Sequence, residues 1–220
     1  MNILQIRPVT AIAAAAATCA LLGLAACATA PPTAQTMVVP PMGTVTTYHR
    51  VSSGSLGNFD GKVVWIHARS TWQGQSVISW GAPQADTALF ETNGFGLVAA
   101  LDASGKLLFS YDPPIRYQWP MAVGQRWTSK HQLTNHAAGR TVPLSIDWAV
   151  ESWGDVTVPA GTFKAYKLIW TNNLGETETR WVNPAEGLAT IKRHVERVAS
   201  HPQGVGVLDA ELLSRVLAPR

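Results

Sequence analysis

Between Thr141 and Val150 the chain alternates without a break. Val142, Leu144, Ile146, Trp148 and Val150 fall on one side, and Thr141, Pro143, Ser145, Asp147 and Ala149 on the other. Alternation of period two over such a length does not fit an amphipathic helix; it marks a half-buried antiparallel strand. Pro143 has no N–H to give to a ladder and points to an edge or a bulge. Ala189, Ile191 and Val195 alternate with Thr190, Lys192, His194 and Glu196 in the same way, and Lys62–Arg69 and Phe163–Thr171 are rich in β-branched and aromatic residues.

The punctuation between these runs agrees. Asn93-Gly94 separates Ala88–Thr92 from Phe95–Leu101 as a hairpin turn would, and Asp102-Ala103-Ser104-Gly105 turns the chain into Lys106–Ser110. Gly139, Gly154, Gly161, Gly175 and Gly187 recur at roughly 7–15 residues, the spacing of a meander. Only Leu208 to Leu217 fits a helix and a strand equally. The prolines from Asp112-Pro113-Pro114 to Trp119-Pro120 are expected to divide the domain into halves of about five strands. The expected fold is all-β: a single curled antiparallel sheet or open barrel of about ten strands, with a two-sheet sandwich as the alternative.

The first 26 residues have a different character. Arg7 is the only charge in the first 49 residues, and the run Ala11–Ala26 is almost wholly alanine with Ile12, Leu21, Leu22 and Leu24. As a helix this run reaches only ~24 Å, short of a ~30 Å hydrocarbon core. A positive start, a short apolar centre and small residues at the end fit an export signal. Leu24-Ala25-Ala26-Cys27 resembles the lipobox of bacterial lipoproteins. The resemblance implies diacylglycerol on the Cys27 thiol, cleavage between Ala26 and Cys27, and acyl chains as the only attached group, with no cofactor. Ala28, in place of the aspartate that holds such proteins in an inner membrane, implies an outer-membrane anchor facing the periplasm where the cell has two membranes. Cys19 and Cys27 are the only cysteines, so the folded part would contain no disulfide. The expected organisation is a signal peptide over 1–26, a lipidated flexible tether over 27–42 and a β-rich domain over 43–220.

The second half carries a further resemblance. Pro120-Met121-Ala122-Val123-Gly124-Gln125-Arg126-Trp127 is followed by Val156 to Phe163 (V-x-V-P-A-G-T-F), Lys167-Leu168, a turn from Pro184 to Leu188 and Ile191-Lys192-Arg193. This order is similar to that in uncharacterised bacterial envelope proteins, often lipidated, and implies a curved antiparallel sheet. Pro159-Ala160-Gly161 itself reads as a tight turn.

Chemistry-bearing residues give few leads. With Arg7 removed, 16 Lys and Arg face 14 Asp and Glu, too small an excess to argue for nucleic acid. His131 and His136 fall on opposite faces of a strand, so no metal site is expected. Glu176 and Glu178 share a face, a placement that is ordinary for solvent-facing acids, and the basic run Lys192, Arg193 and Arg197 splits between two faces. No G-x-S-x-G element is present, and no catalytic residue is assigned. The nine tryptophans serve either as core or as an aromatic groove. Trp148 and Trp170 sit in strong strand patterns and belong to the core, whereas Trp72 and Trp153, beside turns, are the candidate ligand-contact aromatics. Three functions follow: non-enzymatic binding of a hydrophobic small molecule or an envelope protein, binding of glycan or peptidoglycan, and hydrolysis.

Overall fold

The computed structural model describes residues 30–82 and 86–219; the expected cleavage and lipidation positions, Ala26 and Cys27, lie outside the described residues. The chain forms β1 (Val45–Gly54), β2 (Phe59–Trp72), β3 (Gln75–Gly81), β4 (Thr87–Glu91), β5 (Leu97–Leu101) and β6 (Leu107–Ile115). It continues with β7 (Arg126–Asn135), β8 (Arg140–Val158), β9 (Gly161–Asn172), β10 (Glu176–Asn183), β11 (Leu188–Arg197) and β12 (Gly206–Val216). Each strand pairs antiparallel with the next, and β12 pairs with β1, so one sheet closes into a barrel. The sheet is single and antiparallel, as expected, and it has twelve strands and no free edge. Closure gives each strand a neighbour on both sides, so no whole strand is left as the aggregation template that an open barrel presents.

The alternation in β8 maps onto the barrel as expected. Leu144, Ile146, Trp148 and Val150 are buried on the inner face. Pro143 is tolerated because the β8–β9 ladder begins only at Ile146, so one side of the strand is a local edge there. The proline run near residue 113 does not divide the fold. Pro113 and Pro114 lie within β6, in a wide irregularity between the pairs Ala99–Ser110 and Leu97–Ile115, where no ladder needs their missing N–H. The Asn93-Gly94 hairpin is longer than two residues: Glu91 N–H donates to Gly96 O, and Phe95 turns inward at φ 55° to stack on Phe90 at 4.3 Å. The ambiguous run near Leu208 is β12, with Leu208, Ala210 and Leu212 buried on one face.

Residues 32–42, read from sequence as tether, run along one end of the barrel. Ala34 bridges Met121, Val38 N–H donates to Pro184 O at 2.9 Å, and the Tyr166 hydroxyl donates to Pro32 O. Met37 is 5% exposed and packs in a cluster with Phe95, Val158, Leu188 and Leu212. The segment shows no periodicity, yet Met37, Val39 and Met42 on one cluster and Ala34 on another supply enough apolar surface to seat it as a floor.

Candidate functional site

Strand alternation points one side chain in two toward the barrel axis, and their size decides whether the interior fills. Eight strands enclose just enough room for side chains, while much larger barrels hold an aqueous channel. Twelve strands fall between, and a cavity of about 700 Å³ remains. It is bordered by Leu56, Asp86, Ala138, Leu174 and Gln203, which lie in the connections β1–β2, β3–β4, β7–β8, β9–β10 and β11–β12. In an antiparallel barrel these connections share one end, which is therefore the mouth. The other end carries the floor made by residues 32–42, Met121 and the 3-10 turn Pro184–Glu186.

One wall is apolar. It is built by Phe90, Phe109, Leu133, Leu144, Trp148 and Trp170. The ring planes are fixed by mutual packing: Trp148 stacks on Trp127 at 5.3 Å and meets Trp170 at 6.0 Å. The Trp148 Nε1–H donates to Ser129 Oγ at 3.0 Å, so this indole turns its hydrogen bond away and leaves hydrocarbon to the cavity.

The wall that adjoins it, from β10 round to β1, is charged. Glu178 on β10 has no exposure and lies between two guanidiniums. Arg180 Nε donates to its Oε1, and Arg193 Nη2 stands 2.7 Å from its Oε2. Burial would push the Glu178 carboxyl up, but Arg180 and Arg193 outweigh it and hold the group below the usual carboxylate range. Burial would likewise lower the Arg180 guanidinium, and the carboxylate keeps it above its ordinary value. Nearer the mouth, Arg197 pairs with Glu176 and reaches Gln203 Oε1 at 2.8 Å. Arg50 on β1 gives one N–H to Leu56 O at 3.0 Å, and its Nε has no partner.

Neither candidate aromatic borders this cavity. Trp72 lies on the outer face, covering a cluster of Val77, Leu89, Val98 and Ala99, and borders a shallower polar hollow there. Trp153 is half-buried against Tyr166, ring centres 4.6 Å apart, on the cluster that includes Met121. The tryptophans read as core, Trp148 and Trp170, do pack in a core cluster, and the same two also form part of the cavity wall. The acids read as ordinary solvent-facing residues, Glu176 and Glu178, point inward. The signal was present: Ile191, Arg193, Val195 and Arg197 share one face by alternation, and so do Glu176, Glu178, Arg180 and Val182. His131 and His136 make separate contacts, with Pro113 O at 2.7 Å and Ser110 Oγ at 2.8 Å. Among the described residues no three His, Cys, Asp or Glu side chains gather as metal ligands.

No family model and no curated protein sequence matches the chain. Among solved structures it is similar to the hypothetical lipoprotein YmcC of Escherichia coli K12, at 15% identity over 82% of this chain and 86% of that one, with a TM-score of 0.46. It is also similar to a candidate lipoprotein of Parabacteroides distasonis, at 12% identity, 83% and 99% coverage and a TM-score of 0.41. A Bacteroides fragilis protein with a YmcC-like fold gives 10% identity, the same coverages and the same score. Likeness at this level speaks for neither ligand nor activity.

Proposed function

We propose that the chain is a cell-envelope lipoprotein whose barrel binds a hydrophobic small molecule without catalysing a reaction on it. The observation that carries the reading is the cavity: about 700 Å³, open at one end and walled by aromatic and aliphatic side chains. Small-molecule sites span roughly 300–1,000 Å³ and are lined mainly by apolar groups with a few polar ones that orient the ligand. An interior of this kind filled only with water leaves large apolar surface wet, which a barrel free to choose larger side chains would avoid.

The anchor belongs to the same reading. Acyl chains on Cys27 would hold the barrel at the membrane that supplies such ligands, and Ala28 favours the outer membrane, facing the periplasm. Incorporation of tritiated palmitate and membrane retention test this. Both should vanish in Cys27→Ser; their persistence would remove the anchor from the proposal. The cavity is tested with the full chain in nanodiscs titrated with 1-aminoanthracene, an uncharged fluorescent probe. Saturable binding above that of empty nanodiscs is expected, and its absence would refute the binding function.

A further inference from the structure

Three arginines of the interior stand in one row. Arg180 on β10 is the direct cross-strand partner of Arg193 on β11. Arg193 is opposite Ala210 on β12, and Ala210 is opposite Arg50 on β1. With strands ~4.8 Å apart, Arg193 and Arg50 are separated by about 10 Å, and only a methyl group stands between them. Arg50 and Arg193 both border the cavity, while Ala210 between them is buried with Val195 and Leu208 under Leu56. One step toward the mouth on β10 and β11 lie Glu178, then the Glu176–Arg197 pair. Four guanidiniums on this wall thus face two carboxylates, Asp86 being exposed in the β3–β4 connection. The Nε atoms of Arg50 and Arg193 are buried without a hydrogen-bond partner. Burial depresses Arg50 below its ordinary value, Asp86 opposes this, and Arg193 adds to it.

A surplus of cations in a part-buried, low-dielectric wall is unfavourable unless an anion completes it. The hydrocarbon wall of Phe109, Leu144, Trp148 and Trp170 faces the same space. We infer that the ligand is an amphiphile with a single anionic headgroup, a carboxylate or a phosphate monoester, seated between Arg193 and Arg50, with its apolar chain against the tryptophan wall. Guanidinium forks match the oxygens of either headgroup and give charge-assisted hydrogen bonds. This inference rests on the cavity being a binding site and adds the class of molecule it takes.

The test is competition against 1-aminoanthracene on the full chain in nanodiscs, with decanoate, decyl phosphate, decanol, decylamine and inorganic phosphate as competitors. Decanoate or decyl phosphate should compete roughly tenfold better than decanol, a difference of about 1.4 kcal/mol. Decylamine should be the weakest of the chain-bearing probes. Arg50→Gln should narrow the gap between the acids and decanol; Arg50 is chosen because it does not hold the buried Glu178, and an unchanged urea midpoint of the variant checks that its fold is kept. Decanol equal to the acids, or decylamine better, would overturn the anionic headgroup while the binding function stands. Inorganic phosphate as effective as decyl phosphate would overturn the amphiphile in favour of a free anion. If the fluorescent probe itself fails to bind, the binding function falls, and the inference with it.

Discussion

Arg193 reaches diagonally across the β10–β11 ladder so that its Nη2 lies 2.7 Å from Oε2 of Glu178, a carboxylate with no solvent exposure. Arg180 holds the other oxygen. Removing the acid leaves two guanidiniums facing each other, which in buried pairs costs roughly 3–5 kcal/mol. Both arginines keep some exposure here, so Glu178→Gln is expected near the lower end, about 3 kcal/mol by urea unfolding. The triple change Glu178→Leu, Arg180→Met, Arg193→Met should recover most of that loss, since apolar replacement of a buried ionic cluster is often neutral. A triple variant no more stable than Glu178→Gln would show that the arginines are needed for the barrel itself.

The same carboxylate sets an acid limit. Burial opposes its ionisation, but the two arginines depress it below its ordinary 4.5. A depressed folded value means that the contribution is complete above the unfolded value and is lost as pH falls through the folded one. The stability difference between the wild type and Glu178→Gln should therefore narrow below about pH 4.5 and stay constant above it. A difference independent of pH would mean that the carboxyl binds its proton equally well in the folded and unfolded chain, and that the two arginines do not depress it.

His67 governs a higher window. It is 2% exposed, lies 5.2 Å from the Trp80 ring, and its Nδ1 has no partner. Burial, and secondarily Arg215, push it down to about 4 from 6.5. Between those values the unfolded chain takes up a proton that the folded chain refuses, so stability falls as pH drops from 6.5 toward 4. The loss from this residue is about 3 kcal/mol across the window. Urea midpoints at about pH 7.5 and 4.5 should differ less in His67→Phe than in the wild type. Equal slopes in the two proteins would remove His67 as the cause.

Much of the barrel was legible because one half of each strand is apolar. Val142 through Val150 announces its inner face by alternation alone, and Gly161 and Asp102 announce their turns. Closure was not legible, since pairing of β12 with β1 depends on strand tilt and number rather than on any local pattern. The site was obscured for a related reason. The rule that charges face water assigned Glu176 and Glu178 outward, and the rule that tryptophans near turns are exposed selected Trp72 and Trp153. A cavity inverts both rules: its inner wall is where polar residues can be buried if they are paired. Arg193 between Ile191 and Val195 carried the right phase, but alternation cannot say whether an inward charge finds a partner.

The floor gives a packing prediction. Met37 is nearly inaccessible in the cluster of Phe95, Val158, Leu188 and Leu212, against which Val39 and Met42 also pack. Met37→Ala should cost roughly 2–3 kcal/mol, the lower part of the range for deleting a buried methionine, because an end of the barrel can settle inward. Loss below about 0.5 kcal/mol would mean that the segment contributes no packing.

Gly187 couples this segment to the barrel through backbone alone. It has φ +64°, caps the 3-10 turn, and a Cβ built on it would stand 2.5 Å from Val38 O. Val38 N–H is meanwhile held by Pro184 O, so the carbonyl cannot retreat without breaking that bond. Gly187→Ala should thus carry two penalties: about 1–2 kcal/mol for an L side chain in the left-handed region, and the displacement of residues 32–42. Gly94→Ala supplies the comparison, because Gly94 has φ +79° with open space around the missing Cβ. Both variants should lose the conformational part, but only Gly187→Ala should gain rapid protease cleavage within residues 31–42. The same cleavage rate in the two variants would mean that the clash with Val38 is relieved locally and that the floor does not depend on Gly187.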